Sequence, residues 1–349
     1  MSVLHLWHSR GWRGGENQFR LLAGHLAEPW RGHLGAPAGS ELARRLDGVL
    51  PFHAIACNGL FDPGSALAVR RLISRHGVRI IHAHDAHALS TAILARIGTG
   101  ARLVVSRRNA FPIKSGWKYR AADAVVAVSS ATADELTKVG VPADRISIIP
   151  DAVDLAELDA AHPERLGAGP SETIVLCVAA FSAEKDHATL LRAWAEIEKL
   201  HPEAQLHLAG SGKLEEELRR LAASLSLERV RFLGWRNDVA ALIKGADIVV
   251  LSSRAEGLGS SLCEAQAAGK AVVATSAGGI PEAVEDGETG LLSPPGDAQA
   301  LAEHIRVLLA DPDRRQSMSE AGRARALTRF APEAIAETHA SLYASLLSD

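Results

Sequence analysis

The sequence predicts an α/β protein built from two doubly wound domains, and three observations support this fold class. Short apolar runs rich in β-branched residues recur along all 349 residues. Amphipathic helical patterns, such as residues 187–199, separate these runs. The runs are continuously apolar, which is typical of strands buried on both faces of a parallel sheet. Because strand and helix alternate in both halves of the chain, we predict two such domains.

The predicted strands form two groups along the chain. They lie near 2–7, 53–56, 79–84, 102–106, 124–129 and 146–150, and then near 173–180, 204–210, 230–234, 247–252, 271–276 and 290–293. Between the groups, residues 151–171 are rich in Ala, Asp, Gly and Pro and are interpreted as a linker. We therefore predict domains over 1–158 and 159–330. Apolar residues at helical spacing predict a terminal helix in 331–349 that packs back on the first domain.

Composition and charge narrow the class of protein. With 47% hydrophobic and 23% charged residues, the chain is ordinary for a globular protein. It has no apolar run of about 18 residues and no secretory signal pattern. Cys57, Cys177 and Cys263 form neither a disulfide framework nor a zinc spacing, so we expect a cytoplasmic protein. Residues 1–158 hold 19 Lys and Arg against 13 Asp and Glu, whereas 159–349 hold 19 against 28. The basic half indicates an anionic partner, with random drift of surface charge as the alternative.

The motif over 254–276 points to a phosphate-containing ligand. It combines a loop at the end of a predicted strand with a helix that begins at Ser260 and Ser261. Small residues at a helix start expose backbone N–H groups, which favour an anion. Glu256 and Glu264 flank this position, and carboxylates accept hydrogen bonds from sugar hydroxyls. The pattern suggests a nucleoside-diphosphate sugar, and a capped helix with two solvated glutamates is the alternative.

The E-x7-E spacing of Glu256 and Glu264, with the strand that follows, resembles family 4 of the retaining glycosyltransferases. Further segments resemble the same family: Gly14-Gly15-Glu16, 125–154, 178–193 and 278–297. The resemblance covers nearly the whole chain. It implies the GT-B fold, in which two Rossmann-like domains face each other across a cleft. It also implies catalysis without a metal ion or another cofactor.

The resemblance implies a role for individual residues. Lys185 would bind the donor diphosphate, Glu264 the ribose hydroxyls, and Glu256 the hydroxyls of the transferred sugar. His84 would lie beside the reacting sugar, so that the predicted catalytic residues are His84, Lys185 and Glu256. Backbone contacts to the donor would come from Gly14, Gly15, Gly259, Ser260 and Ser261.

One position departs from the family pattern. The family usually has an arginine five residues before the lysine, and this chain has Ala180 there. The phosphate site therefore lacks one cation. Arg107 or Arg108 of the first domain could supply it, or Lys185 could serve alone.

The histidine-rich run 80–88 is a second candidate cluster. His82 and His84 share one face of a predicted strand, and His87 follows them. A metal site is one interpretation. Because no cysteine or carboxylate stands at a typical metal-ligand spacing, we expect no metal. We interpret His82 as a buried strand residue, and we expect His84 and Asp85 to face a ligand, Asp85 on the acceptor side.

Segment 106–120 combines basic and aromatic residues. They are Arg107, Arg108, Lys114, Lys118 and Arg120 with Phe111, Trp117 and Tyr119. This mixture suits an anionic lipid surface or a phosphorylated glycolipid, and also single-stranded nucleic acid. A solvated basic loop is a further alternative. The family resemblance favours the lipid, so Arg107, Arg108, Lys114, Trp117 and Lys118 are predicted acceptor or membrane contacts, with no nucleic-acid partner.

The family resemblance, together with these observations, implies a retaining transferase. We expect it to move a hexose from a UDP-sugar, or as a second choice from GDP-mannose, to a glycan or glycolipid of the bacterial envelope, such as lipopolysaccharide. We expect it to act as a peripheral protein at the inner face of the cytoplasmic membrane. A UDP-sugar epimerase of the same fold and a catalytically silent nucleotide-sugar-binding subunit are the alternatives. A dinucleotide-dependent dehydrogenase is disfavoured because no G-x-G-x-x-G follows any predicted strand.

Overall fold

The computed structural model describes residues 2–56, 62–169 and 171–348, so Cys57 lies outside the described residues. The chain divides into two compact units. Unit 1 comprises Met1–Ala152 together with Pro332–Asp349, and unit 2 comprises Val153–Ala331. Among the described residues, no helix is both long and apolar enough to cross a membrane.

Unit 1 is built on a seven-stranded parallel sheet with the order β3-β2-β1-β4-β5-β6-β7. Its strands are β1 Ser2–Leu6, β2 His33–Ala36, β3 Phe52–Ala54, β4 Val78–Ala83, β5 Arg102–Arg107, β6 Ala124–Ala127 and β7 Ile146–Ile148. The helices between them are α1 Gly14–His25, α2 Glu41–Arg45, α3 Pro63–His76, α4 Ala86–Ala95, α5 Trp117–Arg120 and α6 Ser130–Lys138, with a 3₁₀ turn at Ala143–Arg145. The strand order reverses between β1 and β4, which is where ligands bind in open parallel sheets.

Unit 2 contains a six-stranded parallel sheet with the order β10-β9-β8-β11-β12-β13. Its elements are α7 Leu155–Ala160, β8 Thr173–Val178, a 3₁₀ turn Ala183–Lys185, α8 His187–Leu200, β9 Ala204–Ala209, α9 Glu215–Ser224, β10 Val230–Gly234, α10 Val239–Gly245, β11 Ile248–Leu251, α11 Ser260–Ala267, β12 Ala271–Thr275, α12 Ile280–Ala283, β13 Leu291–Ser293, α13 Ala298–Ala310 and α14 Pro312–Arg329. Here the order reverses between β8 and β11.

The last helix, α15 Pro332–Ser348, belongs to unit 1 and packs against α1. Its Ile335, Ala336 and Tyr343 join a buried cluster that also contains Val3 and Ile80. Leu4 and Ile81, the next residues on the same two strands, belong to the cluster on the other side of the sheet. Because successive side chains of a strand point to opposite faces, both faces of the sheet are covered. This explains the continuously apolar runs and confirms the predicted doubly wound α/β class.

The structure differs from the sequence-based predictions in two places. Strand β2, His33–Ala36, was not predicted, because its four residues include a glycine and no β-branched side chain. The first unit ends at Ala152 rather than at 158, and the predicted linker contains a helix. That helix, α7, packs against α10 and α11 of unit 2, where Lys244 Nζ donates to the Leu158 carbonyl over 3.0 Å. The predicted boundary was therefore six residues too late.

Candidate active site

The candidate donor site lies in unit 2, at the carboxyl ends of β8 and β11. These strands are neighbours at the point where the strand order reverses. The segments that follow them, 179–186 and 252–259, therefore emerge side by side. The Ser252 hydroxyl donates to the carbonyl oxygens of Lys185 and Asp186, each over 3.0 Å, and so joins the two segments.

Lys185 and Glu256 meet at this junction. The Lys185 ammonium donates to Glu256 Oε1, which also accepts from the Ser253 hydroxyl over 2.8 Å. The Glu256 side chain is 9% exposed and that of Lys185 is 24% exposed. The structure thus brings together two of the three predicted catalytic residues, although 71 positions separate them in the sequence.

Two glycines of the GGIPEA segment hold the Glu256 backbone. Gly279 N–H donates to the Glu256 carbonyl over 3.1 Å. At Gly278 a Cβ atom would lie 2.1 Å from the same carbonyl oxygen, and the φ of this residue is +55°. Only glycine fits such a close approach with left-handed backbone. The segment that resembles the family's ending of the second domain thus fixes the loop that carries Glu256.

Helix α11 begins directly after this loop. Its N-cap is Gly259, with a φ of +87° and no side chain to cap the helix. Ser260 and Ser261 form the first turn and are half-buried. Glu264 lies one turn further and, at i and i+4, shares the helix face of Ser260. The N–H groups of this turn carry the partial positive charge of a helix N-terminus.

In unit 1, the predicted residues follow β1 and β4, again at the reversal of strand order. Gly14 and Gly15 are the first two residues of α1. The Gly14 Cα is open to solvent, whereas a Cβ at Gly15 would lie 3.3 Å from the Trp7 ring. His84 follows β4, and its N–H donates to the Leu6 carbonyl over 3.1 Å. The His84 ring stacks on Trp7 at a centroid distance of 5.3 Å.

His84 belongs to a buried histidine cluster with His82 and His5. The burial of His82 in β4 confirms its prediction as a buried strand residue, whereas His5 was not predicted. His5 Nδ1 and His84 Nε2 lie 3.1 Å apart. His82 is bonded at both ring nitrogens, to the Tyr343 hydroxyl over 2.7 Å and to the Ser106 hydroxyl over 2.8 Å. Burial lowers the pKa of His5 to about 3 and holds those of His82 and His84 well below the usual value. All three imidazoles are therefore neutral at physiological pH.

The ring nitrogens of His5, His82 and His84 lie within 4.8 Å of one another, which is compatible with metal ligation. His82, however, already uses both nitrogens in hydrogen bonds. The positive charge of Arg108 acts on the cluster and opposes protonation of His82 and His84. The same charge would disfavour a metal cation, so we interpret the cluster as a hydrogen-bonded part of the core. The expectation of metal-free catalysis stays a prediction.

Three of the predicted acceptor residues have structural partners inside unit 1. Asp85 caps α4, accepting from His87 N and Ala88 N over 2.9 Å each, and also from His8 N over 2.6 Å. Arg107 donates to the Tyr119 hydroxyl, and Arg108 pairs with Asp151 over 3.1 Å. These bonds give the three side chains a structural role, which the sequence did not reveal.

The remaining acceptor or membrane candidates surround the short helix α5. Lys114 is exposed, and Trp117 and Phe111 are 42% and 41% exposed. Lys118 is bound to the Ser90 hydroxyl of α4 over 2.7 Å, and burial lowers its pKa. An exposed group of one lysine and two aromatic rings thus stands on this surface.

Comparison with known families identifies the class of protein. The family described as Glycosyltransferase Family 4 matches residues 12–157, and the family described as Glycosyl transferases group 1 matches residues 159–325. The two matches together span both units. The chain therefore belongs to the group 1 glycosyltransferases with a family 4 first domain.

Individual relatives agree with this assignment. The chain is 29% identical to the lipopolysaccharide core biosynthesis glycosyltransferase LpsE of Rhizobium meliloti over 242 residues, 69% of each chain. It is also 29% identical to the N-acetyl-alpha-D-glucosaminyl L-malate synthase of Bacillus anthracis, over 94% of this chain and 93% of that one. The structure of Anabaena Alr3699/HepE in complex with UDP-glucose superposes with a TM-score of 0.85 at 25% identity, covering 99% of this chain and 100% of that one.

These findings confirm the predicted GT-B fold class and the predicted activity class. The protein is a glycosyltransferase. The comparisons favour this activity over the two alternatives from the sequence, an epimerase and a silent binding subunit. We propose the donor, the acceptor and the roles of individual residues below.

Proposed function

We propose that the protein transfers a hexose from a nucleoside-diphosphate sugar, with retention of the anomeric configuration. A UDP-sugar is the first candidate donor and GDP-mannose the second. The observation that carries the proposal is the contact between Lys185 and Glu256 beside the start of α11. The complex of HepE with UDP-glucose supports a uridine nucleotide.

The contact matches the chemistry of such a donor. In a nucleoside-diphosphate sugar, the outer phosphate is bonded directly to the transferred sugar. A cation for the phosphate and a carboxylate for the sugar hydroxyls must therefore be neighbours. Lys185 and Glu256 satisfy this condition, since their side chains meet.

The order of residues along the loop and helix also follows the order of groups in the donor. Glu256 would bind the sugar, Gly259, Ser260 and Ser261 the phosphates, and Glu264 the ribose. Backbone N–H groups at a helix start bind phosphate without further cations. One turn of helix separates Ser260 from Glu264, which supports contacts to adjoining phosphate and ribose.

The same groups would lower the barrier of the reaction. As the glycosidic bond to the diphosphate breaks, negative charge grows on the leaving phosphate and the sugar becomes oxocarbenium-like. Lys185 and the N–H groups of α11 would stabilise that charge without reorganisation. Attack by the acceptor on the same face retains the configuration, with the leaving phosphate oxygen accepting the acceptor proton. The role that the family resemblance implies for His84 stays a prediction, and no step requires a metal ion.

For the acceptor, we propose a glycan or glycolipid of the bacterial envelope. The similarity to the lipopolysaccharide core biosynthesis glycosyltransferase LpsE supports a lipopolysaccharide-type product. The excess of basic residues in 1–158 and the exposed Phe111, Lys114 and Trp117 support peripheral contact with an anionic membrane.

A thermal-shift screen tests the donor. UDP, UDP-glucose, GDP, GDP-mannose and uridine are compared, each with and without EDTA. A ligand present at 100 times its Kd stabilises the folded protein by about 2.7 kcal/mol. We expect a uridine or guanosine diphosphate to raise the melting temperature, EDTA to leave the shift unchanged, and uridine to give a smaller shift. If no nucleoside diphosphate or nucleotide sugar gives a shift, the proposed function is wrong.

A further inference from the structure

The donor-phosphate segment 179–186 has Ala180 where the family resemblance implies an arginine, and Arg254 lies against the same segment. We propose that Arg254 supplies the second cation for the donor diphosphate. This inference rests on the proposed function, because it assigns a further residue to the same donor site.

Two bonds fix Arg254 on either side of Lys185. Its backbone N–H donates to the Glu184 carbonyl over 2.7 Å. Its Nε donates to Asp186 Oδ2, also over 2.7 Å. Asp186 is itself held by hydrogen bonds, because its carboxylate caps α8 and accepts from the Thr189 hydroxyl over 2.7 Å. Glu184 thus holds the Arg254 backbone and Asp186 holds its guanidinium, and these two residues stand on either side of the proposed phosphate lysine in the sequence.

The pairing with Asp186 leaves most of the arginine accessible. The Asp186 side chain is 7% exposed, whereas that of Arg254 is 58% exposed. An arginine side chain carries five N–H donors in a planar fork, and this bond occupies the Nε edge. The terminal nitrogens lie beside Gly296, where a Cβ atom would be 3.1 Å from Nη2. A planar fork with accessible terminal N–H groups is suited to phosphate oxygens.

Charge balance supports the assignment. The two segments that form the candidate site, 179–186 and 252–259, contain Lys185 and Arg254 as their cations. They also contain Glu184, Asp186 and Glu256. Lys185 is already paired with Glu256, so it does not by itself balance the charge of a diphosphate. Arg254 would add a second cation to these segments, in which position 180 contributes no charge.

Lys213 is the alternative source of the cation. The loop before it packs on the same segment, because Phe181 N–H donates to the Ser211 carbonyl over 3.0 Å. Lys213 is exposed. The bond from Arg254 Nε to Asp186 favours Arg254, since it holds the guanidinium in place. Arg107 and Arg108, considered from the sequence, are held in unit 1 by Tyr119 and Asp151.

The test is titration calorimetry of UDP and UMP against wild type, Arg254→Gln, Lys213→Gln and the double variant Arg254→Gln with Ala180→Arg. Melting temperatures check that each variant is folded. We expect Arg254→Gln to weaken UDP binding about tenfold or more, as for a lost charge-assisted contact, and UMP binding much less. Lys213→Gln should leave both affinities near wild type. Ala180→Arg should restore UDP binding in the double variant, which a merely structural role of Arg254 does not predict.

Each contrary outcome has a distinct meaning. If Arg254→Gln binds UDP as tightly as wild type, or if Lys213→Gln loses the affinity instead, the inference is overturned. It is also overturned if UDP and UMP weaken equally and Ala180→Arg restores neither. If wild type binds no nucleoside diphosphate, it is the proposed function that fails.

Discussion

Lys185 and Glu256 show how a single contact can organise a reaction centre. The Glu256 carboxylate is almost fully buried, and its partners are the Lys185 ammonium and the Ser253 hydroxyl. Removing the Lys185 ammonium would leave the Glu256 carboxylate buried without a cation, which costs folding free energy. Because the two side chains meet at the proposed donor site, we expect substitution of either one to lower turnover as well as stability.

Lys185→Ala should lower turnover by about 10²- to 10³-fold, the size of effect seen when one stabilising group for developing charge is removed. The rate of transfer, or of hydrolysis of the nucleotide sugar, is the measurement. Lys199→Ala, at an exposed position of α8, is the matched control and should keep wild-type turnover. Near-normal turnover in Lys185→Ala would move the phosphate site elsewhere.

Glu264→Ala should weaken UDP binding, because the ribose hydroxyls lose their charged acceptor. A hydrogen bond to a charged group contributes about 1.5–3 kcal/mol, or roughly a tenfold or larger change in Kd. Calorimetric titration with UDP measures it, and Glu303→Ala on the exposed side of α13 serves as the control. Unchanged affinity in Glu264→Ala would remove this residue from the donor site.

Residues in local motifs can be proposed from a sequence more easily than residues that only the fold brings together. Lys185, Glu256 and Glu264 became candidates because they stand in short sequence patterns, and their roles stay predictions. Arg254 and Asp186 are 68 positions apart and become partners only after β8 and β11 pair. His5 was missed for the same reason, because it contacts His84 although 79 positions separate them in the sequence.

Among the secondary-structure elements, α15 stabilises a sheet from which it is distant in sequence. Its Tyr343 is fully buried, and its hydroxyl bonds to His82 Nδ1 across 261 positions. Tyr343→Phe leaves that nitrogen without its partner, which costs about 1–3 kcal/mol. We expect a lower melting temperature, measured by calorimetry. The chain's other tyrosine, Tyr119, is half-buried, and Tyr119→Phe should have a clearly smaller effect.

The surface around α5 allows a test of membrane contact. Phe111→Ser combined with Lys114→Glu removes an exposed ring and reverses a charge, so it should reduce sedimentation with anionic liposomes at low salt. Wild-type binding should itself weaken as salt rises, because exposed charges are screened. Leu200→Ser with Lys199→Glu makes the same change in unit 2, where Leu200 is 63% exposed. Equal sedimentation of the two double variants would favour a solvated loop.

At the scale of the whole molecule, the sequence predicted the fold class and the strands better than the boundary between the two domains. Short apolar runs in the sequence marked twelve of the thirteen strands that the structure describes. Strand β2 lacks that signal. The border of unit 1 was placed too late because Ala-rich residues before 159 look like a linker, whereas their packing assigns α7 to unit 2.

Buried neutral histidines in both units predict that the protein loses stability in acid. Burial lowers the pKa of His5 to about 3 and those of His187, His207 and His339 to about 4. In the unfolded chain these groups take up protons near pH 6.5, so their stabilisation is complete above that pH and is lost as the pH falls toward 4. Each contributes a slope of about 1.4 kcal/mol per pH unit in that window.

Calorimetric melting temperatures between pH 8 and 4 should fall steeply below pH 6.5, and less steeply in His339→Leu. The exposed His162 provides the control: His162→Ala should follow the wild-type curve, and a flat wild-type curve would contradict the prediction.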